Sequence, residues 1–313
     1  MSMEDLLKKE LNTSVCEQYG RGGGGCICTG QSYKTDQGIV YVKENRESKA
    51  KLMFEGEYAS LEAVLSTGAV KAPKPIKVLE RPKGALLLME HIDISSLSSR
   101  HAALLGEQVA NMHLHNEKML KKAEQGEGSI HKQETEDKSE DSLITQFGFH
   151  VPTCCGYIAQ DNSWKEDWVS FYCQNKLQQQ LNLIEKEHGD REAAELWPKL
   201  QRAIPNMFKG LDVKPALVHG DLWSGNVGEC PTGPLIFDPG CFYGHHEYDL
   251  GISKMFGGLG SNFFKAYHKV IPKSEGFDER NKLYQLFHYL NHWNHFGGGY
   301  RGTSISIMRE LAR

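Results

Sequence analysis

Three side chains within one short stretch could do chemistry together. Leu217-Val-His219-Gly-Asp221-Leu-Trp223-Ser-Gly-Asn226 presents a carboxylate just after a His-Gly pair and a carboxamide five residues later. Leu235-Ile-Phe-Asp238-Pro-Gly240 then adds a second carboxylate. An aspartate on a tight loop can take the proton of an acceptor hydroxyl. An asparagine and an aspartate beside short apolar strands can hold a divalent ion on nucleotide phosphates. In that order the three form the kit for ATP-dependent phosphoryl transfer. Asp221 is therefore the candidate catalytic base, and Asn226 and Asp238 are the candidate Mg²⁺ ligands.

Such a kit needs upstream elements to hold the nucleotide. Gly20-Arg-Gly22-Gly23-Gly24-Gly25-Cys26-Ile-Cys28 contains a Gly-x-Gly-x-x-Gly spacing whose amides can approach phosphates. Alone it reads as readily as a linker or hairpin turn. The next two elements change its meaning. Gly38-Ile-Val-Tyr-Val42-Lys43 is an apolar strand that ends in a lysine, suited to the α- and β-phosphates. A helical pattern from about Glu47 to Leu65 carries Glu55 and Glu57, and Glu57 shares its side with Phe54 and Leu61, so it is the expected partner of Lys43. Residues 73–79 read as an edge strand because of their prolines. Residues 84–92 read as a central strand running out into a hinge, with Met89 at the back of the pocket and the main chain of Glu90, His91 and Ile92 against adenine. Residues 3–19 read as a short helix.

Downstream, a helix runs from Leu97 to about Leu120. It includes His113 and His115, too few for a metal site and read as packed or solvated. The charged stretch 121–141 reads as a disordered surface insertion. Asp190 caps a helix running towards Pro205, and Asp249 reads as a structural brace for the catalytic-loop backbone. The final helices carry a core stripe through Tyr284, Phe287, Leu290 and Trp293. Within it, Asn291-His292-Trp293-Asn294-His295 is polar-aromatic, so His292 and Trp293 are candidate walls of an acceptor pocket as well as core. Trp223 is placed either to stack on a sugar or to pack the loop.

Composition narrows the partners. With 313 residues and a net charge of −4, the chain has no electrostatic footprint for nucleic acid or an anionic membrane. No apolar run reaches membrane-span length and the N-terminus lacks a signal-peptide pattern, so a cytoplasmic location is expected. The eight cysteines lack paired Cys-x2-Cys spacing and read as reduced thiols.

His219-Gly-Asp221-Leu-Trp223-Ser-Gly-Asn226 resembles the aminoglycoside/choline-kinase branch of the protein-kinase-like fold. More narrowly, Met53-Phe-Glu-Gly-Glu57, Thr153-Cys-Cys-Gly-Tyr157 and Tyr284 through Phe296 resemble the fructosamine-3-kinase family. His288, Tyr300-Arg-Gly302 and Cys155-Gly-Tyr157 lean towards its ketosamine-3-kinase branch. The resemblance implies an α+β, bilobal fold, with a β-rich N-lobe at 1–91 and a mostly helical C-lobe at 92–313. It implies phosphorylation by ATP and Mg²⁺ of the 3-hydroxyl of ribulosamines or psicosamines (fructosamines belong more to the sister branch) on protein lysines or small amines. The 3-phosphate then decomposes and frees the amine. Gly22, Gly23, Gly24 and Gly25 would cradle phosphates beside Lys43 and Glu57. Family members have a cysteine like Cys26 that can bridge two subunits on oxidation, which implies a redox-sensitive homodimer. The alternatives are a kinase for an aminoglycoside, choline or another small alcohol, and a kinase-like binding module without activity. Gly220 stands where protein kinases have arginine, and the short span from Asp238 to Asp249 leaves no room for an activation segment.

Overall fold

The computed structural model describes residues 2–24, 27–126 and 143–313. Five antiparallel strands make the first layer: β1 (Cys16–Gly24), β2 (Thr29–Thr35), β3 (Gly38–Asn45), β4 (Pro75–Glu80) and β5 (Ala85–Glu90), in the spatial order β1-β2-β3-β5-β4. The proline-bearing strand sits at the edge, where its missing N–H costs nothing. Both faces of the centre are covered. Leu86 and Leu88 of β5 join Val40 and Val42 of β3 against helix α1 (Met3–Leu11) through Leu7. Ala85, Leu87 and Met89 point the other way, to Phe54, Leu61 and Val64 of helix α2 (Ala50–Ser66). Strand residues alternate faces, and Lys43 pairs with Leu87, so Lys43 is delivered to the α2 side.

Helix α1 stops at Leu11, not near residue 19. Asn12 takes a left-handed conformation, and Thr13 and Ser14 bond the Asp36 carboxylate instead of continuing the helix. Residues 16–19 thereby become free to pair with β2.

The second lobe is mainly helical. Helix α3 (Ser99–Gly126) packs on the later helix Gly260–Val270, where a side chain at Gly106 would stand 2.2 Å from the Phe263 carbonyl. It runs past the expected end, so residues 121–126, expected from their charge to lie in a disordered insertion, are helical. Lys121, Lys122, Ala123, Glu124 and Gln125 are all good helix formers, and Lys121 also pairs with Glu117 one turn back. The remainder of that stretch lies outside the described residues. We propose the lobe boundary after His91, one residue past the end of β5.

Helix α4 (Trp168–Phe171) passes through a π-helical turn (Tyr172–Leu177) into α5 (Gln178–His188), and Asp190 caps α6 (Arg191–Met207) by accepting from Ala193 N–H at 2.9 Å. Short strands β6 (Cys154–Cys155) and β7 (Ile158–Ala159) precede these helices. Strands β8 (Ala216–Val218), β9 (Val227–Cys230), β10 (Gly233–Ile236) and β11 (Phe242–Gly244) frame the loops of interest. Helices α7 (Glu247–Ile252), α8 (Gly260–Val270), α9 (Phe277–Phe296) and α10 (Arg301–Leu311) complete the lobe. A buried ion pair, Arg280 Nη2 to Glu247 Oε1 at 2.8 Å, ties α9 to α7. Among the described residues no helix is long and apolar enough to cross a membrane.

The π-helical turn carries Lys176 into the core. Its ammonium donates to Gln160 Oε1 (3.0 Å) and Asn162 Oδ1 (2.8 Å) and lies 4.1 Å from the centre of the Phe242 ring. Burial pulls its pKa down to about 7. Unfolded lysine titrates near 10.4. Between about pH 7 and pH 10 the unfolded chain therefore binds the extra proton, and stability rises with pH across that window. We expect Lys176→Met to flatten this rise, by at most on the order of 1 kcal/mol per pH unit. Urea unfolding of both proteins at several pH values measures it, and parallel curves would refute it.

Candidate active site

The site is built on a buried carboxylate. Asp249, fully inaccessible on α7, accepts from the main-chain N–H of His219 (2.7 Å) and of Gly220 (2.9 Å). His113 of α3 adds an Nε2 contact at 3.0 Å and is held in turn by the Tyr267 hydroxyl at 2.8 Å. Burial works against charge on Asp249, but His113 and His219 hold its carboxyl below the ordinary range. The chain at 219–220 is thus pinned from beneath. Gly220 has φ +86°, and a side chain there would meet the Gly240 carbonyl at 2.2 Å. The two loops therefore touch backbone to backbone, joined by Gly240 N–H to the His219 carbonyl at 2.9 Å. This explains why glycine stands at 220.

His219 is a second tie. Burial keeps its imidazole neutral. Nε2–H donates to the Phe237 carbonyl at 3.0 Å, and Nδ1 accepts from Asp221 N–H at 3.2 Å. The loop of Asp221 and the loop of Asp238 are therefore set against each other by one ring. Asn226 donates from Nδ2 to the Asp221 carbonyl and to its Oδ2, both at 2.9 Å. That leaves the amide oxygen free for a metal. Burial pushes the Asp221 carboxyl up to about 7, helped by the nearby charge of Asp238 and opposed by the Asn226 bond. A carboxylate tuned near neutrality suits a general base.

Lys43 reaches across from β3. Its ammonium bonds both Glu57 oxygens at 2.8 Å and Asp238 Oδ1 at 3.0 Å. Burial would pull Lys43 down, but Asp238 and Glu57 outweigh it and keep the lysine charged. The Glu57 helix is itself anchored to the Asp238 loop, since Cys241 N–H donates to Ser60 Oγ at 2.9 Å. Oxygen donors from Asp238 and Asn226 match a hard cation such as Mg²⁺.

These groups open onto one cleft of about 860 Å³. Gly23, Lys43, Glu57, Met89, Asp221, Asn226 and Asp238 line it, as do Glu90, His91 and Ile92 beyond the end of β5. The N–H groups of Glu90 and His91 already bond the carbonyls of Lys74 (2.8 Å) and Ile39 (3.4 Å), so they are not free for a purine. Gly22 precedes Gly23 in β1 without lining the cleft, and the placement of Gly24 relative to the cleft, like Gly25 and Cys26, lies outside what the structure describes.

The other end of the cleft is aromatic. Trp223 meets Phe256 edge-on at 6.1 Å, Phe256 lies 4.8 Å from His292, and His292 lies 5.1 Å from Tyr300. His292 Nδ1–H donates to the His288 carbonyl at 2.7 Å, which leaves Nε2 as an acceptor. Trp293 is a correction to the sequence reading. It is 1% exposed and stacks on His188 at 5.8 Å, because one residue along a helix turns the side chain about 100° away from the His292 face. The sequence reading missed Phe256, which follows a short helix with φ +51° and gives no motif signal, and the roles of His219 and His113.

A family model described as fructosamine kinase matches residues 1–313. The chain belongs to the fructosamine kinase family. Within that family it is 54% identical to the ketosamine-3-kinase of Mus musculus over 312 residues, covering 99% of this chain and 100% of the other. It is 38% identical to the chloroplastic protein-ribulosamine 3-kinase of Arabidopsis thaliana, covering 99% and 87%. Among solved structures, a protein assigned as a fructosamine-3-kinase from Thermobifida fusca superposes with a TM-score of 0.76 at 25% identity, covering 99% and 98%. The aminoglycoside phosphotransferase APH(4)-Ia superposes at 0.61 with 12% identity, covering 99% and 97%, which shows the shared kinase-like fold. This member of the fructosamine kinase family therefore has the α+β bilobal architecture expected from its sequence.

Asp249→Asn isolates the brace. It keeps the shape but turns an amide NH₂ against the N–H of His219 or Gly220, leaving a buried donor unpaired. We expect a loss of about 1–3 kcal/mol in unfolding free energy, measured in denaturant. An unchanged midpoint and slope would show that the two N–H bonds do not hold the loop.

Proposed function

We propose that the chain is an ATP-dependent ketosamine 3-kinase. The observation that carries this is the convergence of Asp221, Asn226, Asp238 and the Lys43–Glu57 pair on one cleft with an aromatic acceptor end. Similarity to a ketosamine-3-kinase and to protein-ribulosamine 3-kinases along nearly the whole chain supports the same reading. The acceptor is a ribulosamine or psicosamine, or a fructosamine, on a protein lysine or small amine.

In this reading the acceptor sugar lies against the aromatic wall, with Trp223 under an apolar ring face and His292 Nε2 accepting from a hydroxyl. Asp221 takes the proton as the 3-oxygen bonds the terminal phosphorus and the bond to the ADP oxygen breaks. Lys43 neutralises phosphate charge and Glu57 keeps it extended. Asn226 and Asp238 would hold Mg²⁺, which supplies further charge compensation on the phosphates. Loss of the 3-phosphate then frees the amine, so the chemistry ends in deglycation.

A polycationic acceptor fits less well. Of the carboxylates lining the cleft, Glu57 and Asp238 bond Lys43, Glu90 accepts from Lys74 N–H, and Asp93 pairs with His91. Asp221 is left, held by Asn226. An aminoglycoside site needs several free carboxylates to match its ammonium groups.

ADP release with ribulosamine, psicosamine and fructosamine model compounds, beside choline and kanamycin, tests the assignment. We expect turnover with a ketosamine and phosphorus at O3 by NMR; turnover with choline or kanamycin alone would overturn it. Asp221→Asn should lower kcat by about 10²–10⁴-fold, within the usual range for a lost general base. Trp223→Ala should raise KM for the ketosamine while KM for ATP stays within about twofold, the pattern of lost acceptor binding. Equal effects on both substrates would move Trp223 out of the acceptor site.

A further inference from the structure

Behind Asp221 lies a second set of donors that phosphoryl transfer does not use. One ligand atom each from Cys155, Asp221 and His288 falls within 4.8 Å of the other two. Cys155 comes from β6, His288 from the middle of α9, and Asp221 from the catalytic loop, so three separate elements converge. His288 is wholly inaccessible, yet neither of its ring nitrogens has a hydrogen-bond partner. A buried imidazole with both nitrogens unmatched is rare, because each forfeits the bond it would make in water. Cys155 is a free, buried thiol whose contact, Asn291 Oδ1 at 3.6 Å, is weak. Both Cys155 and Asp221 line the cleft, which gives an ion a path in.

We propose that Cys155, His288 and Asp221 form a zinc site that switches the enzyme off. Sulfur, nitrogen and one carboxylate oxygen are the donor set of Zn²⁺, with bonds of about 2.0–2.3 Å. Around a tetrahedral ion such bonds place ligand atoms roughly 3.3–3.7 Å apart, so the cluster needs to contract by at most about 1.5 Å. Mg²⁺ prefers oxygen donors and belongs with Asn226 and Asp238 instead. Charge also balances, since a thiolate and a carboxylate neutralise the ion and leave a buried group with no net charge. The thiol proton leaves to solvent on binding. Zinc held there occupies the Asp221 carboxylate that must accept the hydroxyl proton. Binding does not depend on the reaction; inhibition rests on the proposed role of Asp221 as base.

The test uses the full chain freed of metal by a chelator. Cobalt(II) as a spectroscopic stand-in should give one equivalent of binding with a thiolate-to-metal charge-transfer band. That band should vanish in Cys155→Ser and persist in Cys154→Ser. Zinc affinity, measured against a chromophoric chelator, should fall at least tenfold in both Cys155→Ser and His288→Gln. Buffered free zinc should inhibit ketosamine turnover by the parent, reversibly with chelator, and the half-inhibiting concentration should rise tenfold or more in Cys155→Ser. No cobalt–thiolate band in the parent, or a band retained in Cys155→Ser, would overturn the site even if His288→Gln fails to fold. Should the chain phosphorylate no ketosamine, the cobalt spectra still decide the site. Zinc bound with the expected signature but without effect on an active enzyme would overturn its inhibitory role.

Discussion

The Asp249 carboxylate is the constraint on which the site depends. A charge with no solvent access is costly unless its lone pairs are filled, and here two main-chain N–H groups and an imidazole fill them. The main-chain donors are the two residues immediately before Asp221. Satisfying a buried charge and fixing the approach to the candidate base are therefore one event. The consequence reaches outward through His113 and Tyr267 to α3 and α8, the pair packed closely at Gly106. The longest helix of the lobe is thus coupled to the placement of a loop more than a hundred residues away in sequence.

The two lobes meet through charge and through backbone. Lys43 belongs to the sheet, Glu57 to α2 and Asp238 to the helical lobe, yet all three share one ammonium. Two carboxylates, one from α2 and one from the loop after β10, thus hold one buried ammonium. Asp238 sits at φ +56°, a conformation an aspartate adopts at a cost of roughly 1–3 kcal/mol. Its neighbours compensate: His219 holds the Phe237 carbonyl on one side, and Gly240 N–H bonds the His219 carbonyl on the other. The main chain on either side of Asp238 is fixed by the same histidine.

The parts of this arrangement legible in the sequence were those written in local spacing. Asp221, Asn226 and Asp238 stand in one stretch, and the Lys43 strand and Glu57 helix have plain periodicity. Asp249 as a brace was readable because it opens a helix soon after the loop. Long-range pairings were not readable. Nothing near Ser60 announces a bond to Cys241, and nothing near Arg280 announces Glu247. The end of α1 escaped notice because Thr13 and Ser14 are drawn off by Asp36, some two dozen residues on. The charged run after Leu120 looked unable to fold, yet its first residues are good helix formers continuing a helix already nucleated.

His292 and Trp293 show the limit most clearly. Composition made the Asn-His-Trp-Asn-His block look like one functional patch, but a helix distributes neighbours around its axis. His288, His292 and His295 share a face at spacings of four and three, and Trp293 falls on the face packed against His188. Two of these histidines are tautomerically fixed by the helix itself, each giving Nδ1–H to the carbonyl four residues back. His288 is different, because neither nitrogen finds a partner. The helix thus presents three imidazoles in graded states. His295 has both nitrogens engaged, with Nε2 accepting from Tyr157 N–H, and His292 keeps one nitrogen for the cleft. His288, the deepest, has two unmatched nitrogens, one of them close to the Asp221 carboxylate. Helical periodicity alone could have grouped the three. Only the convergence of Cys155 and the Asp221 loop on the innermost one shows that it lies beside Asp221.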